Sequence, residues 1–205
     1  RSLLFRRPPR VWSVQGATLS EARPAPQAPR VEPAGAALAE AEPLVAAGAE
    51  LVVEHGVVAG EILGLEVGRV VEHEAGWVLE VGVGKNDRVA SVMMESIRPR
   101  SVLLADIIAT VRAQRRPDAS PHLLNRLARE RWLRCQVVAQ PVLVGAAELT
   151  PIEPPTPRAN LVDVMPALAV GTDLAGAPVV AACSVGVDLD LATIAADGRA
   201  RWCDE

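Results

Sequence analysis

Between Gly60 and Arg88 the chain reads GEILGLEVGRVVEHEAGWVLEVGVGKNDR, with Leu63, Leu65 and Val67 alternating along a first run and Leu79, Val81 and Val83 along a second. A period of two is the signature of half-buried strands, so this stretch restricts the fold more than any other. Pairing Leu63 with Val83, Leu65 with Val81 and Val67 with Leu79 puts all six on one face of a β-hairpin and sets Glu66 across from Glu80 on the other. Facing carboxylates repel. Such a pair is expected either to stay solvated or to hold something cationic between its members.

Half of the 205 residues are hydrophobic, enough for one medium domain or two small ones. With no Tyr and one Phe, Val, Leu and Ala must fill the core, and Trp12, Trp77, Trp132, Trp202 and Phe5 are the only large rings. The net charge of −4 argues against a globally basic nucleic-acid coat. Its distribution is uneven, however: Arg98 to Arg134 holds nine arginines against Asp106, Asp118 and Glu130. Cys135, Cys183 and Cys203 are odd in number and show no C-x-x-C spacing, which indicates neither a disulfide framework nor a zinc site and fits a reducing, cytoplasmic setting. No apolar run approaches the length of a membrane span.

Residues 1–45 carry Pro8, Pro9, Pro24, Pro26, Pro29, Pro33 and Pro43 among Ala and Arg, and read as a tail or linker with one short helix over Gly35 to Glu42. The opening RSLLFRRPPRVW has arginines and no acid, which superficially matches a targeting segment, but a tail is the expected reading. A domain over 46–150 follows: a strand at Leu51 to Val58, the hairpin at 61–84, and two helices, one from Ser101 to Gln114 and one from Ser120-Pro121 onward. Pro151 to Arg158, PIEPPTPR, sets a linker over 151–159. Residues 160–205 look like the opening of a second α/β unit, with a strand in Ala177 to Val187 and a helix from Leu191 capped by Asp188 or Asp190. The expected class is α/β or α+β around a small mixed sheet.

The acidic hairpin resembles the core of the restriction-endonuclease-like PD-(D/E)XK superfamily, in which an acid on one strand and an acid-x-Lys on the next hold a divalent metal beside a hydrolytic water. The resemblance implies Mg²⁺ on Glu66 (or Glu61) and Glu80, the oxygen set a hard cation needs, with Lys85 near the water. It covers about thirty residues, and the family's lysine position is here Gly82; Lys85 lies five residues after Glu80 and reaches the same face only through a bulge near Gly82 or Gly84. GVGKND lacks the spacing of a phosphate-cradling P-loop. Segments such as HLLNRLARERWLR and CSVGVDLDL are also similar to conserved hypothetical proteins of actinobacteria, a resemblance that implies no activity.

HLLNRLARERWLR offers Arg126, Arg129 and Arg134 to the phosphates of a nucleic acid. Its bland counterpart is a solvated helix face with an ordinary Glu130–Arg134 pair and a packed Trp132. His55, His73 and His122 lie apart and read as surface or capping residues, and Cys183 as a buried thiol. Two functions follow as expectations: a Mg²⁺-dependent, nuclease-like phosphodiesterase built on Glu66, Glu80 and Lys85, or a non-catalytic domain that docks a protein partner.

Overall fold

The alternating region folds as strands, but it contains more turns than its spacing suggests. The computed structural model describes residues 6–7, 9–23, 29–158, 160–162 and 164–203. Phe5, Pro8, Pro24 and Pro26 lie outside the described residues. Within the expected tail, β1 (Trp12–Gln15) and β2 (Thr18–Glu21) form a separate hairpin exposed on both faces, followed by α1 (Gly35–Glu40) and α2 (Glu42–Ala46). Next comes a four-stranded antiparallel meander of β3 (Glu50–Glu54), β4 (Val57–Ile62), β5 (Leu65–His73) and β6 (Gly76–Val81).

Two two-residue turns explain where the expected register fails. His55-Gly56 and Leu63-Gly64 all have positive φ, between 50° and 79°, the combination that lets a two-residue hairpin loop follow the twist of its strands. LVVEHGVV is therefore the tip of a hairpin and not one strand, and Leu63 belongs to a turn. With the third turn at Glu74-Ala75, β5 and β6 pair Arg69 with Glu80 and Val70 with Leu79. Glu66 faces Glu61 instead, because the β4–β5 register shifts between Gly60 and Glu61: Gly60 pairs with Gly68 and Glu61 with Glu66, leaving Val67 as an extra residue on β5.

One face of this sheet builds the main core. Val58, Ile62, Leu65, Val67, Val70, Leu79 and Val81 pack against Leu44 of α2 and against Leu104, Ile108 and Val111 of α4 (Arg100–Gln114). Each such burial contributes about 1.5–3 kcal/mol before entropy is counted. Before α4 lies α3 (Lys85–Met94), which starts directly after the β6 strand and the Gly82–Gly84 loop.

The helix expected from Pro121 begins later. His122 Nδ1 accepts the Leu124 N–H, a short 3-10 turn spans Leu123–Arg126, and Ala128 takes a left-handed conformation with its N–H on the Leu161 carbonyl. Arg115, 3% exposed, donates to the carbonyls of Leu63, Leu124 and Leu127, so acceptors that an α-helix would use internally are held by a guanidinium. Only at Arg129 does α5 (Arg129–Ala139) start.

The last sheet is β7 (Ala146–Ile152), β8 (Ala167–Asp173) and β9 (Pro178–Cys183), in that order and antiparallel. Pro151 is tolerated because β7 is an edge strand, so the start of the expected linker lies inside a ladder. α6 (Leu191–Trp202) covers one side through Ile194 against Ile152 and Leu168. α5 covers the other through Val137 against Leu149, Ala167 and Ala169. The class is α+β, with antiparallel ladders where a mixed sheet was expected.

Candidate functional site

Cross-strand pairing lines up three carboxylates on adjacent strands: Glu50 opposite Glu61, and Glu61 opposite Glu66. The face expected to be solvated is not, since Glu61 is 1% and Glu66 2% exposed. Buried carboxylates persist only with charged partners, and here arginines from β5 itself and from three later segments supply them.

Arg69, from β5 itself, donates from Nε and Nη2 to the two oxygens of Glu66 at 2.8 and 2.6 Å. Arg88, one helical turn beyond Lys85 in α3, donates to Glu66 Oε1 at 2.8 Å, and its Nε lies 3.3 Å from Glu80 Oε2. Glu80 also stands 3.3 Å from His73 Nε2. Glu66 and Glu80 thus lean toward one small volume although they are not paired across the sheet, and the cation between them is a guanidinium.

From α5, Arg131 pairs with Glu61 at 2.5 Å and Glu54 at 2.6 Å, while Arg134 reaches Glu61 at 3.2 Å. Arg131 and Arg134, three apart on α5, both reach the first sheet, and Val137, a further step round the helix, meets the second. Beyond β7, Arg158 brings Nε to 3.7 Å from Glu54 and donates to the Met165 carbonyl at 2.9 Å.

The electrostatics follow this wiring. Burial works against the charge of Arg131, but Glu61, Glu54 and Glu66 outweigh it and hold the group above the ordinary guanidinium value. The hydrogen bonds to Glu66 likewise hold Arg69 high. Arg158 is different: burial, with Arg131 nearby, pushes it down to about 10. It has too little negative charge around it. Glu50 is raised by partial desolvation and by Glu61 opposite.

Two contiguous cavities open beside this network and share Glu66, Arg69, Arg131 and Arg158 as lining. The larger, about 480 Å³, adds Gly84, Lys85, Arg88 and the segment Asn160–Val162. The smaller, about 140 Å³, adds Val52, Val57, Ala59 and Pro157, with Glu54, His55 and Glu61. Lys85 is exposed on the rim and has no ion-pair partner among the described residues.

Of the residues expected to act, Glu66, Glu80 and Lys85 are thus gathered near Arg88. Both oxygens of Glu66 are engaged by guanidinium groups, so the carboxylates as placed do not fit a hard-cation site; among the described residues there is no group of three or more His, Cys, Asp or Glu side chains that could hold a metal. Arg126 and Arg129 are exposed, but Arg134 is 2% exposed and pairs with Glu61, not Glu130, so it is turned away from any external phosphate. Trp132 packs under the Arg115 guanidinium, whose Cζ lies 4.9 Å from the centroid of the ring.

Arg69, Arg88, Arg131, Arg158 and Glu54 were missed. A lone arginine inside the apolar run of β5 and cations spaced three apart at Lys85/Arg88 and Arg131/Arg134 were the available signals. Arg158 in a Pro-rich segment had none. Among the described residues no helix is long and apolar enough to cross a membrane. No family model, no curated protein and no solved structure matches the chain.

Proposed function

We propose that this protein is a non-catalytic binding domain whose cleft holds a phosphate-bearing ligand. One observation carries the reading: the larger cavity collects Arg69, Lys85, Arg88, Arg131 and Arg158 around a single carboxylate, Glu66. Across the wider network, those five cations and Arg134 stand against Glu54, Glu61, Glu66 and Glu80. Positive charge in excess along a partly enclosed cleft attracts an anion, and guanidinium groups are suited to phosphate oxygens. Nucleic-acid phosphates are one source of such an anion, with exposed Arg126 and Arg129 outside the cleft adding attraction.

Hydrolysis by a Mg²⁺ held on Glu66 and Glu80 would require the Arg88 guanidinium to leave the space between them. Nothing in the site replaces it, and binding is the better-supported reading.

Thermal melting in low-salt buffer tests it. Inorganic phosphate at millimolar concentration should raise Tm by a few degrees, about 3 °C, while chloride at equal ionic strength should not. Lys85→Glu, a change at an exposed and unpaired position, should remove most of the shift. No phosphate effect, or the same effect in Lys85→Glu, would sink the proposal. So would a rise with Mg²⁺ or Mn²⁺ that disappears in Glu80→Gln, which would support the metal-dependent reading instead.

A further inference from the structure

The cleft has two chemically different halves, and its unsatisfied atoms are unevenly divided between them. Buried polar groups are normally hydrogen-bonded, so orphans that cluster point to a missing partner. Side-chain atoms without a hydrogen bond include Nε of Arg131, Oε1 of Glu54 and Nε2 of His55, while Nε of Arg88 and of Arg158 keep only the ion contacts with Glu80 and Glu54 described above; all belong to cleft-lining residues. The Arg131 side chain is 8% and the Arg158 side chain 10% exposed.

In the larger half, Arg88, Arg158 and Lys85 surround the start of α3. Gly84 provides no side-chain cap there, so the first N–H groups of a ten-residue helix join the cations, an arrangement that favours an anion. In the smaller half, Val52, Val57, Ala59 and Pro157 make apolar walls. Beside them, Glu54 Oε1 makes no hydrogen bond and has Arg134 Nη1 at 3.9 Å, and His55 Nε2 makes none either. At about 140 Å³ this half is the smaller of the two and is open to solvent on one side, room for a flat group. A ligand that satisfies both halves carries a phosphate on one end and, a short distance away, a flat and largely apolar group with hydrogen-bonding edges.

Resting on the phosphate-binding reading above, we infer that the cleft takes a nucleoside monophosphate unit, its phosphate among Lys85, Arg88 and Arg158 and its base against Val52, Val57 and Ala59 with an amino edge toward Glu54. The same chemistry is offered by a free mononucleotide and by the phosphorylated end of a single strand. Phenyl phosphate lacks the donor edge, and ribose 5-phosphate lacks the base.

Calorimetric titration of the full chain with inorganic phosphate, ribose 5-phosphate, phenyl phosphate and each of the common nucleoside monophosphates tests this. At least one nucleotide should bind about tenfold or more tightly than the other three probes. Val57→Trp, an uncharged change at an exposed position on the wall of the smaller cavity, should fill that half, erase the preference and leave inorganic phosphate binding unchanged. Retained phosphate binding also reports that the variant is folded. Equal affinity for all probes would overturn the inference while leaving the phosphate site standing, as would a Val57→Trp variant that weakens phosphate and nucleotide alike or that changes neither. Loss of all phosphate binding in the wild type would instead remove the reading beneath it. A 5′-phosphorylated tetranucleotide that binds as tightly as the mononucleotide assigns the strand end as the source; one that fails to bind assigns the free nucleotide.

Discussion

Glu50 shows how a single side chain reports on the acidic row. It faces Glu61 on the next strand and keeps contact with solvent, and partial desolvation together with Glu61 raises its carboxyl above the usual value. A raised folded pKa means that the native state binds the proton more tightly than the unfolded chain does. The resulting penalty is present at neutral pH and disappears as pH falls through the raised value. Glu50→Gln should therefore raise Tm at pH 7 by about a degree or two, the effect being limited by solvent screening. The gain should vanish near pH 4. Melting curves at both pH values check this, and an equal gain at the two would show that the repulsion is not its cause.

Among the elements, the meander owes its register to its turns. Gly64 sits at φ 75° in the β4–β5 turn, and a Cβ there would lie 2.4 Å from the Arg131 backbone carbon. This turn is also the point where α5 is pressed onto the sheet. Gly176, at φ 83° in the β8–β9 turn, has nothing within 4 Å of an added Cβ. Gly176→Ala should thus cost only the conformational penalty, about 1 kcal/mol. Gly64→Ala adds a backbone collision and should cost at least about 2–3 kcal/mol. Urea denaturation of the two variants separates the effects, and equal costs would show that the α5 contact yields freely.

What the residues disclosed in advance follows the same division. Alternation marked the strands of the meander, and the apolar stripe of α4 placed Leu104, Ile108 and Val111 where they are buried. The register was not legible, because Leu63 continues the apolar alternation while its backbone turns, and the bulge at Val67 leaves no mark in composition. Convergence of Glu66 and Glu80 could be read as a need for a cation, but not which cation, since the answer comes from Arg88 on a different element. The start of α5 was hidden because Arg115 competes for carbonyls from a distance no local pattern contains.

For the whole molecule, the decisive feature is that the acidic row on the first sheet is completed by side chains synthesised much later. Glu54 and Glu61 find their arginines at 131, 134 and 158, and Glu153 returns to the His55 backbone N–H at 2.7 Å and to Arg201 at 2.6 Å. α5 is wedged between the two sheets, so neither half closes without it. A fragment covering 29–128 keeps the entire meander and the helices of its apolar face, yet removes both guanidinium groups that pair with Glu61. An uncompensated buried charge costs about 3–5 kcal/mol, a large part of the stability of a small domain. The fragment should therefore show little protected amide exchange at pH 7 while the full chain protects the same strands; protection in both would mean the later arginines are dispensable. On the ribosome, the meander would wait, emerged but unsettled, until the arginines of α5 and Arg158 arrive to neutralise it.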